Sequence, residues 1–416
     1  MKRKEPAFGL LFLFEALAAR IIWALRSSQT LEFLLFRSAA GLRALEIRFL
    51  SRSSPNYTEI DAGHGSVASR YWDYNSRSTR ELETVTAPIG LWQISAARIF
   101  SFPKFPTVQT RSTLNFLPRN EDGPYNFYAH SRSRPGLQIL REDGNHLLAK
   151  IPNQAVNISQ CVYVGTRQPA NWSHWLINFL PGVMVASDYL LGRNPIPLVV
   201  SPGFRDGEAR TALFEYFWPQ GRTLLCSEDE FIEAEEVLWF EQPYSDSPRP
   251  KNKEGVKPKS ANFQTMTRFR QRLLAFARDS GESEALPDKV FLAREPNMSR
   301  PYNHAEVEAV ASDAGYSVVY LNRLAVAHQI AIMAHAKRIV GPTGSAFANS
   351  IVAGAGAKLL ELCSSARSDK VEDWYAPLAD IAGAEFSTTD TTYIDEKLPG
   401  TLRVDTDALR RILSGF

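Results

Sequence analysis

Three short stretches hold the residues best suited to chemistry. In Asn171-Trp172-Ser173-His174-Trp175-Leu176, a histidine stands at a strand-to-helix turn between two tryptophans. Aromatic faces suit sugars and bases, and an imidazole that is neutral near pH 7 can accept a proton from a hydroxyl. The competing reading is a hydrogen-bonded core histidine with both tryptophans as core, and the residue types leave the two evenly matched. The second stretch, Phe291-Leu292-Ala293-Arg294, is followed by Arg300 and Asn303. Arg294 falls just past the end of a strand and Arg300 in the loop before the next helix. Two arginines there suit a diphosphate clamp with bidentate bonds; surface ion pairing is the ordinary alternative. The third stretch is Arg338-Ile339-Val340-Gly341-Pro342-Thr343-Gly344-Ser345-Ala346-Phe347-Ala348-Asn349. An apolar strand ends at a glycine turn and a helix of small residues follows. Gly341 and Gly344 allow a tight turn and close approach to a ligand. Thr343 or Ser345 can cap the helix, and the free N–H groups at its start favour a phosphate. Tight packing is the plainer explanation of such a turn taken alone.

Several other chemistries find no support. The turn lacks the Gly-Lys-Ser/Thr of a P-loop and the Gly-x-Gly-x-x-Gly of a dinucleotide site. No Gly-x-Ser-x-Gly or His-Glu-x-x-His occurs. His328 and His335 are seven apart, not the four of a helical metal pair. Asp405-Thr406-Asp407 imitates a metal-binding Asp-x-Asp but opens the last helix, where Asp and Thr are ordinary caps. No metal ligand set is assigned.

The elements that must position these residues read as two alternating series. Strands near Cys161–Gly165, Pro197–Val200 and Val237–Phe240 enclose helices over His174–Leu191, where Pro181 interrupts the pattern, and Gly207–Phe217. A Pro/Lys-rich stretch, Tyr244–Lys259, then reads as a linker. Asn262–Ser280 is a helix, and a second β/α series runs from Lys289 to Leu362. Residues 60–150 read as short strands, including Ala87–Ser95, Ala97–Phe102 and Gly136–Leu140. The organisation is therefore a basic amphipathic helical extension over 1–54, a β-rich segment over 55–150, β/α domains over 151–243 and 262–416, and a linker over 244–261. Two doubly wound domains bind ligands outside the carboxyl ends of their strands.

Composition narrows the partners. The 416 residues carry 47 Lys+Arg and 45 Asp+Glu, a formal net charge of +2 that gives no reason to expect nucleic acid. Cys161, Cys226 and Cys363 are too few and too dispersed for a disulfide framework, which points to a reducing compartment. On that ground the Asn-x-Ser/Thr matches at Asn56, Asn157, Asn171 and Asn297 are chance. Residues 1–54 hold nine Lys/Arg and four Glu, a local charge of +5. Met-Lys-Arg-Lys followed by Ala7–Phe14 imitates the start of a signal peptide, but Glu15 and Arg20 interrupt it. Leu31–Leu50 reads as a basic amphipathic helix, fit either to pack on the protein's own core or to lie on an anionic membrane surface.

Together the three stretches resemble the glycosyltransferase 61 family, in its bacterial form, over roughly residues 160–365. The counterparts are Asn171–Leu176, then Arg294, Arg300 and Asn303, then Gly341–Asn349, with Gln329 and Glu361 also fitting. Thr343 replaces the family's usual histidine, Ser345 and Ala346 its Ala-Gly, and Asn178 a frequent acidic residue.

The resemblance implies an α/β, GT-B-like fold of two doubly wound domains with an N-terminal helical and β extension. It implies an inverting glycosyltransferase that uses a nucleotide sugar, foremost a UDP-sugar, and requires no further cofactor. The acceptor would be a glycan or a lipid-linked glycan in surface polysaccharide synthesis, and the location cytoplasmic or peripheral at the inner face of the membrane. His174 would be the general base. Asn171, Trp175, Arg294, Arg300, Asn303, Gly341, Thr343, Gly344, Ser345, Asn349 and Glu361 would bind substrate, with Glu361 on the ribose hydroxyls. The loss of titratable groups at 343 and 178 motivates the alternative of a non-catalytic nucleotide- or sugar-binding relative.

Overall fold

The computed structural model describes residues 42–50, 52–62, 66–73, 77–86, 88–100, 107–110, 113–116, 138–143, 146–165, 170–202, 204, 207–227, 229–246, 259–281, 285–296, 301–364, 375–394 and 402–416. The strands are β1 (Leu42–Phe49), β2 (Tyr57–Asp61), β3 (Ser66–Asp73), β4 (Ser78–Val85), β5 (Ile89–Phe100), β6 (Thr107–Thr110), β7 (Thr113–Phe116), β8 (Gln138–Asp143), β9 (His146–Lys150) and β10 (Gln154–Tyr163). A helix then runs as α1 (Trp172–His174), one π-helical stretch (Trp175–Phe179) and α2 (Leu180–Tyr189). There follow β11 (Leu198–Val200), α3 (Glu208–Phe217), β12 (Thr223–Leu225), β13 (Glu230–Phe240), β14 (Tyr244–Asp246), β15 (Lys259–Ala261) and α4 (Phe263–Asp279). The last part holds β16 (Lys289–Leu292), α5 (His304–Asp313), β17 (Ser317–Val319), α6 (Val326–His335), β18 (Arg338–Pro342), a 3-10 helix (Ser345–Val352), β19 (Lys358–Ser364), α7 (Ala376–Ala382), β20 (Glu385–Ile394), β21 (Leu402–Val404) and α8 (Thr406–Gly415).

These strands form two mixed sheets. The first runs β12-β11-β10-β13-β5-β6-β7-β1-β9-β8, with β2 on β5; the second runs β14-β15-β4-β3-β20-β19-β18-β16-β17, with β21 on β20. Each has a parallel β/α part. In the first, β10 lies between β11 and β13, parallel to both. In the second, β16 lies between β17 and β18, parallel to both. The chain leaves β10 for β11 and β12 on one side and returns to β13 on the other; it treats β16, β17 and β18 the same way. Each sheet therefore has a topological switch point, the place where α/β sheets open a crevice at their strand ends.

A single apolar core lies between the sheets. It joins Val162, Leu238 and Phe240 of the first to Val290, Ile339 and Leu359 of the second through Leu176, Val183, Phe269, Ile330 and Ile351 of the helices. Separate clusters cover the outer faces. One is built on Trp92, Cys161 and Trp239; the other packs α5 and α8 on Phe291, Val340 and Leu360. The three cysteines are buried and form no disulfide with one another.

The structure corrects several sequence expectations. The C-terminal part of the helix expected over Leu31–Leu50 is instead strand β1, paired with β7 and β9. Leu45-Glu46-Ile47-Arg48-Phe49 alternates apolar and polar with period two, a strand pattern, and non-local pairing selects it. The rest of that expected helix and the run Ala7–Phe14 lie outside the described residues. The strands of 55–150 are shared out, β3 and β4 to the second sheet and the others to the first. Ala87–Ser95 and Ala97–Phe102 merge into β5, and the break between them falls at Ala96, which adopts φ 50° while the register with β13 runs on unchanged. The stretch Tyr244–Lys259 starts and ends in β14 and β15, which pair antiparallel. Pro181 has no N–H for the carbonyl one turn back. The helix accommodates it by π-helical pairing just before, with the Leu180 N–H on the Trp175 carbonyl.

Among the described residues no helix is long and apolar enough to cross a membrane. Among them, too, no group of three His, Cys, Asp or Glu side chains could hold a metal ion.

Candidate active site

The two switch points face one cavity of about 530 Å³. From the second sheet come Leu292, Ala293, Arg294 and Glu295 at the end of β16 and just past it, Pro342, Gly344, Ser345 and Ala346 at the end of β18 and just past it, and Asn322, Gln329 and Asn349. From the first come Ala170, Asn171 and Trp172 after β10, and Arg210 of α3.

The glycine turn is shaped by its neighbours in the protein. A Cβ at Gly341 would stand 2.8 Å from both Cβ and O of Leu292, so only glycine lets β18 lie this close to β16. A Cβ at Gly344 would fall on the Arg294 guanidinium, whose Nη2 donates to the Thr343 carbonyl. Gly344 thus leaves room for Arg294 to lie against the turn, at the cavity wall. Neither Thr343 nor Ser345 caps the following helix, a correction to the sequence reading: the N-cap is Gly344 and no side chain bonds there. The Thr343 N–H is spent on the Leu362 carbonyl. The Ser345 hydroxyl reaches the other sheet's wall instead, donating to Asn171 Oδ1 at 3.3 Å.

Asn171 caps α1. Its Oδ1 also accepts from the N–H groups of Ser173 at 2.9 Å and His174 at 3.4 Å. This holds Trp172 on the cavity wall, its ring stacked on buried Trp175 at 5.5 Å. Trp175 itself does not line the cavity.

His174 is half-buried and two residues beyond Trp172, the last residue of α1 to line the cavity. Its Nδ1 lies 2.8 Å from Asn178 Oδ1. The Asn178 Nδ2 donates to the Tyr244 carbonyl at 2.5 Å, so Oδ1 must be the acceptor towards histidine. Nδ1 therefore carries the proton and Nε2 the lone pair when the ring is neutral. The π-helical stretch thus brings Asn178 beside the start of β14.

Asn349 is 1% exposed. Its Nδ2 donates to the Ala346 carbonyl at 3.1 Å, and its buried Oδ1 has no hydrogen-bond partner among the described residues. Gln329, which resembled a family position, also lines the cavity, its Nε2 tied to the Leu324 carbonyl at 3.0 Å. Both amides are oriented by backbone carbonyls, which leaves their oxygens as the groups to accept from a hydroxyl or N–H.

Other expected residues lie elsewhere. Asn303 ties the start of α5 to β21, accepting from the Val404 N–H at 2.8 Å and donating to its carbonyl at 3.1 Å, outside the cavity. Glu361 is buried in β19 and does not line it. Arg300 lies outside the described residues. The carboxylate that does line the cavity is Glu295, held by Arg323 through two bonds of 2.6 and 2.8 Å and by Asn322 at 3.2 Å. These partners, led by the Arg323 bond, lower its pKa and keep it ionised. Nearby His304, stacked on Tyr302 at 3.8 Å, is pushed below its ordinary pKa by burial, with Arg294 adding to the effect and Glu308 opposing it. Asp405 caps α8, accepting from the N–H groups of Asp407 and Ala408 at 3.0 and 2.9 Å.

The sequence reading missed Arg210. A signal was present: Arg210 shares its helical stripe with buried Leu213, Phe214 and Phe217, at spacings of three, four and seven. A cation on the apolar stripe of a helix needs an explanation that a solvated surface does not supply.

Residues 172–360 match the model of the Glycosyltransferase 61 family. The match runs from Trp172, beside the cap of α1, to Leu360 in β19, and so covers the helices after β10 and the switch point at β16. No curated protein matches the chain.

Proposed function

We propose that this protein is an inverting glycosyltransferase of the bacterial type, moving a sugar from a nucleotide-sugar donor to a glycan or lipid-linked acceptor. The observation that carries this reading is the single cavity between two switch points, with a glycine turn and Arg294 on one wall and an aromatic wall with Asn171 opposite. The family match supports transferase chemistry. A GT-B-like division of labour follows, with residues 262–416 holding the donor and 151–243 the acceptor.

In this reading Arg294 and the N–H groups at the start of the 3-10 helix take the diphosphate, with Arg300 as a further candidate. The amide oxygens of Asn349 and Gln329 accept from hydroxyl or N–H groups of the donor. His174 takes the acceptor proton on Nε2. The acceptor oxygen attacks the anomeric carbon as the diphosphate leaves on the opposite side, which inverts the centre. Fixed positive charge stabilises the leaving group; removing one such donor typically costs about 10²–10³ in rate. A UDP-sugar is the foremost donor, surface polysaccharide synthesis the setting, and the cytoplasmic side of a membrane the place.

The neutral partner of His174, Asn178, favours a second reading: a relative that binds nucleotide or sugar without turnover. A panel of nucleotide sugars decides between them. Slow release of free nucleoside diphosphate supports the transferase. Binding with no release under any acceptor leaves only the second reading.

A further inference from the structure

The cavity wall opposite Arg294 carries a second arginine that belongs to none of the three motifs. Arg210 is 8% exposed and lines the cavity. Its Nη2 donates to the Ala170 carbonyl at 2.7 Å. Its guanidinium stands 5.8 and 5.6 Å from the ring centres of Trp172 and Trp175. These contacts fix a permanent cation on the wall and shield it from bulk water. Arg294 fixes another on the wall across from it. Two guanidinium groups that line one cavity can donate to one anion from two different elements. A diphosphate presents non-bridging oxygens on two phosphorus atoms and can be gripped from two sides at once.

We infer that Arg210 binds the same diphosphate as Arg294, so that the leaving group is held between one arginine from each half of the protein. This rests on the nucleotide-sugar reading of the cavity. In the transfer step the bond between the anomeric carbon and the diphosphate oxygen breaks, and its electron pair stays on that oxygen. The acceptor oxygen forms the new bond to the anomeric carbon, and its proton passes to the base. Charge grows on the diphosphate as the bond breaks, and both guanidinium groups face that growth.

Calorimetry with UDP and with uridine tests the inference on the full chain. Arg210→Met keeps the apolar stem on the tryptophans and removes the charge. UDP affinity is expected to fall about 10-fold or more, as for other charged hydrogen bonds, with uridine affinity unchanged. Arg210→Lys should recover part of the loss. The Arg210→Met, Arg294→Met double variant should lose less than the product of the single losses, because both act on one group. Equal loss of UDP and uridine binding in Arg210→Met would mean that the arginine only supports Trp172, and strictly multiplicative losses would mean two separate anions; either overturns the inference. Loss with Arg294→Met but not with Arg210→Met overturns it alone and leaves the nucleotide reading standing. An unsubstituted protein that binds no nucleoside diphosphate overturns both.

Discussion

Ser345 and Asn171, 174 residues apart, meet at 3.3 Å across the cavity. One begins the 3-10 helix of the glycine turn and the other caps the helix that carries His174. Their bond ties the second sheet's switch point to the first's through an oxygen that already serves two backbone N–H groups. Asn171→Ala should therefore lower stability by about 0.5–2 kcal/mol through loss of the cap. Asn171→Asp keeps the cap but adds a negative charge to a wall proposed to face a diphosphate. Its melting temperature should match the unsubstituted protein while nucleoside diphosphate affinity falls. Thermal melts beside calorimetry separate the two effects, and an aspartate variant with full affinity would remove the anion from this wall.

The two glycines of the turn should fail differently when replaced. Gly341→Ala drives a methyl into the Leu292 backbone, which cannot give way, and should cost about 1–3 kcal/mol of stability. Gly344→Ala instead displaces the far end of the Arg294 side chain. Stability should change little, while diphosphate binding falls to the level of Arg294→Ala. A Gly344→Ala protein that binds as tightly as before would show that the position of Arg294 is immaterial.

His174 and Asn178 should separate chemistry from binding. His174→Ala should lower kcat strongly with donor affinity within about threefold, the pattern of a lost general base. Asn178→Asp places a carboxylate beside Nδ1, which favours the imidazolium and should move the acidic limb of the kcat/KM profile to higher pH. An unmoved limb would mean that His174 is not the group titrating. If His174→Ala unfolds the protein, the core-histidine reading is the right one.

Much of this site could be read from residue types. The positions of Arg294, the glycine turn and Asn171 follow from strands that end where helices begin, a local pattern. What could not be read is non-local. The register that brings Ser345 to Asn171 depends on how two sheets pack on one core. The strand character of Leu42–Phe49 was present as an alternation, but basic residues at helical spacing masked it. Glu361 matched a family position and yet lies buried in β19, while its counterpart at the cavity is Glu295, next to Arg294 in the second motif but given no role by it. Arg210 sat in a correctly placed helix, and only the partner faces of that helix reveal why an arginine belongs there.

His304 sets a pH dependence of stability. Burial depresses its folded pKa below the ordinary value of 6.5. The folded state then binds fewer protons than the unfolded one, so its contribution is present above about pH 6.5 and is lost as pH falls through the depressed value. Melting temperature should drop between pH 7 and 5, and His304→Gln should flatten that slope. An identical slope in the variant would assign the acid sensitivity to other groups.

The N-terminal segment offers the last test. Residues 1–41 carry six Lys/Arg and three Glu, a net +3, alongside leucine and phenylalanine. The next residues are β1, which lies between β7 and β9 and joins β8 and β9 to the rest of the sheet. A truncation at Pro55 therefore removes a central strand and strips the pairing from β7 and β9 at once. That protein should aggregate or melt well below the full chain. A truncation at Gly41 keeps β1 and should fold. If the basic segment attaches to membranes, the full chain will float with anionic liposomes, each basic residue contributing about 1 kcal/mol at the surface. High salt will weaken that flotation, and the Gly41 truncation will lose it. A full chain that ignores the liposomes, with a Gly41 truncation that melts lower, would show that residues 1–41 serve the fold and not a membrane.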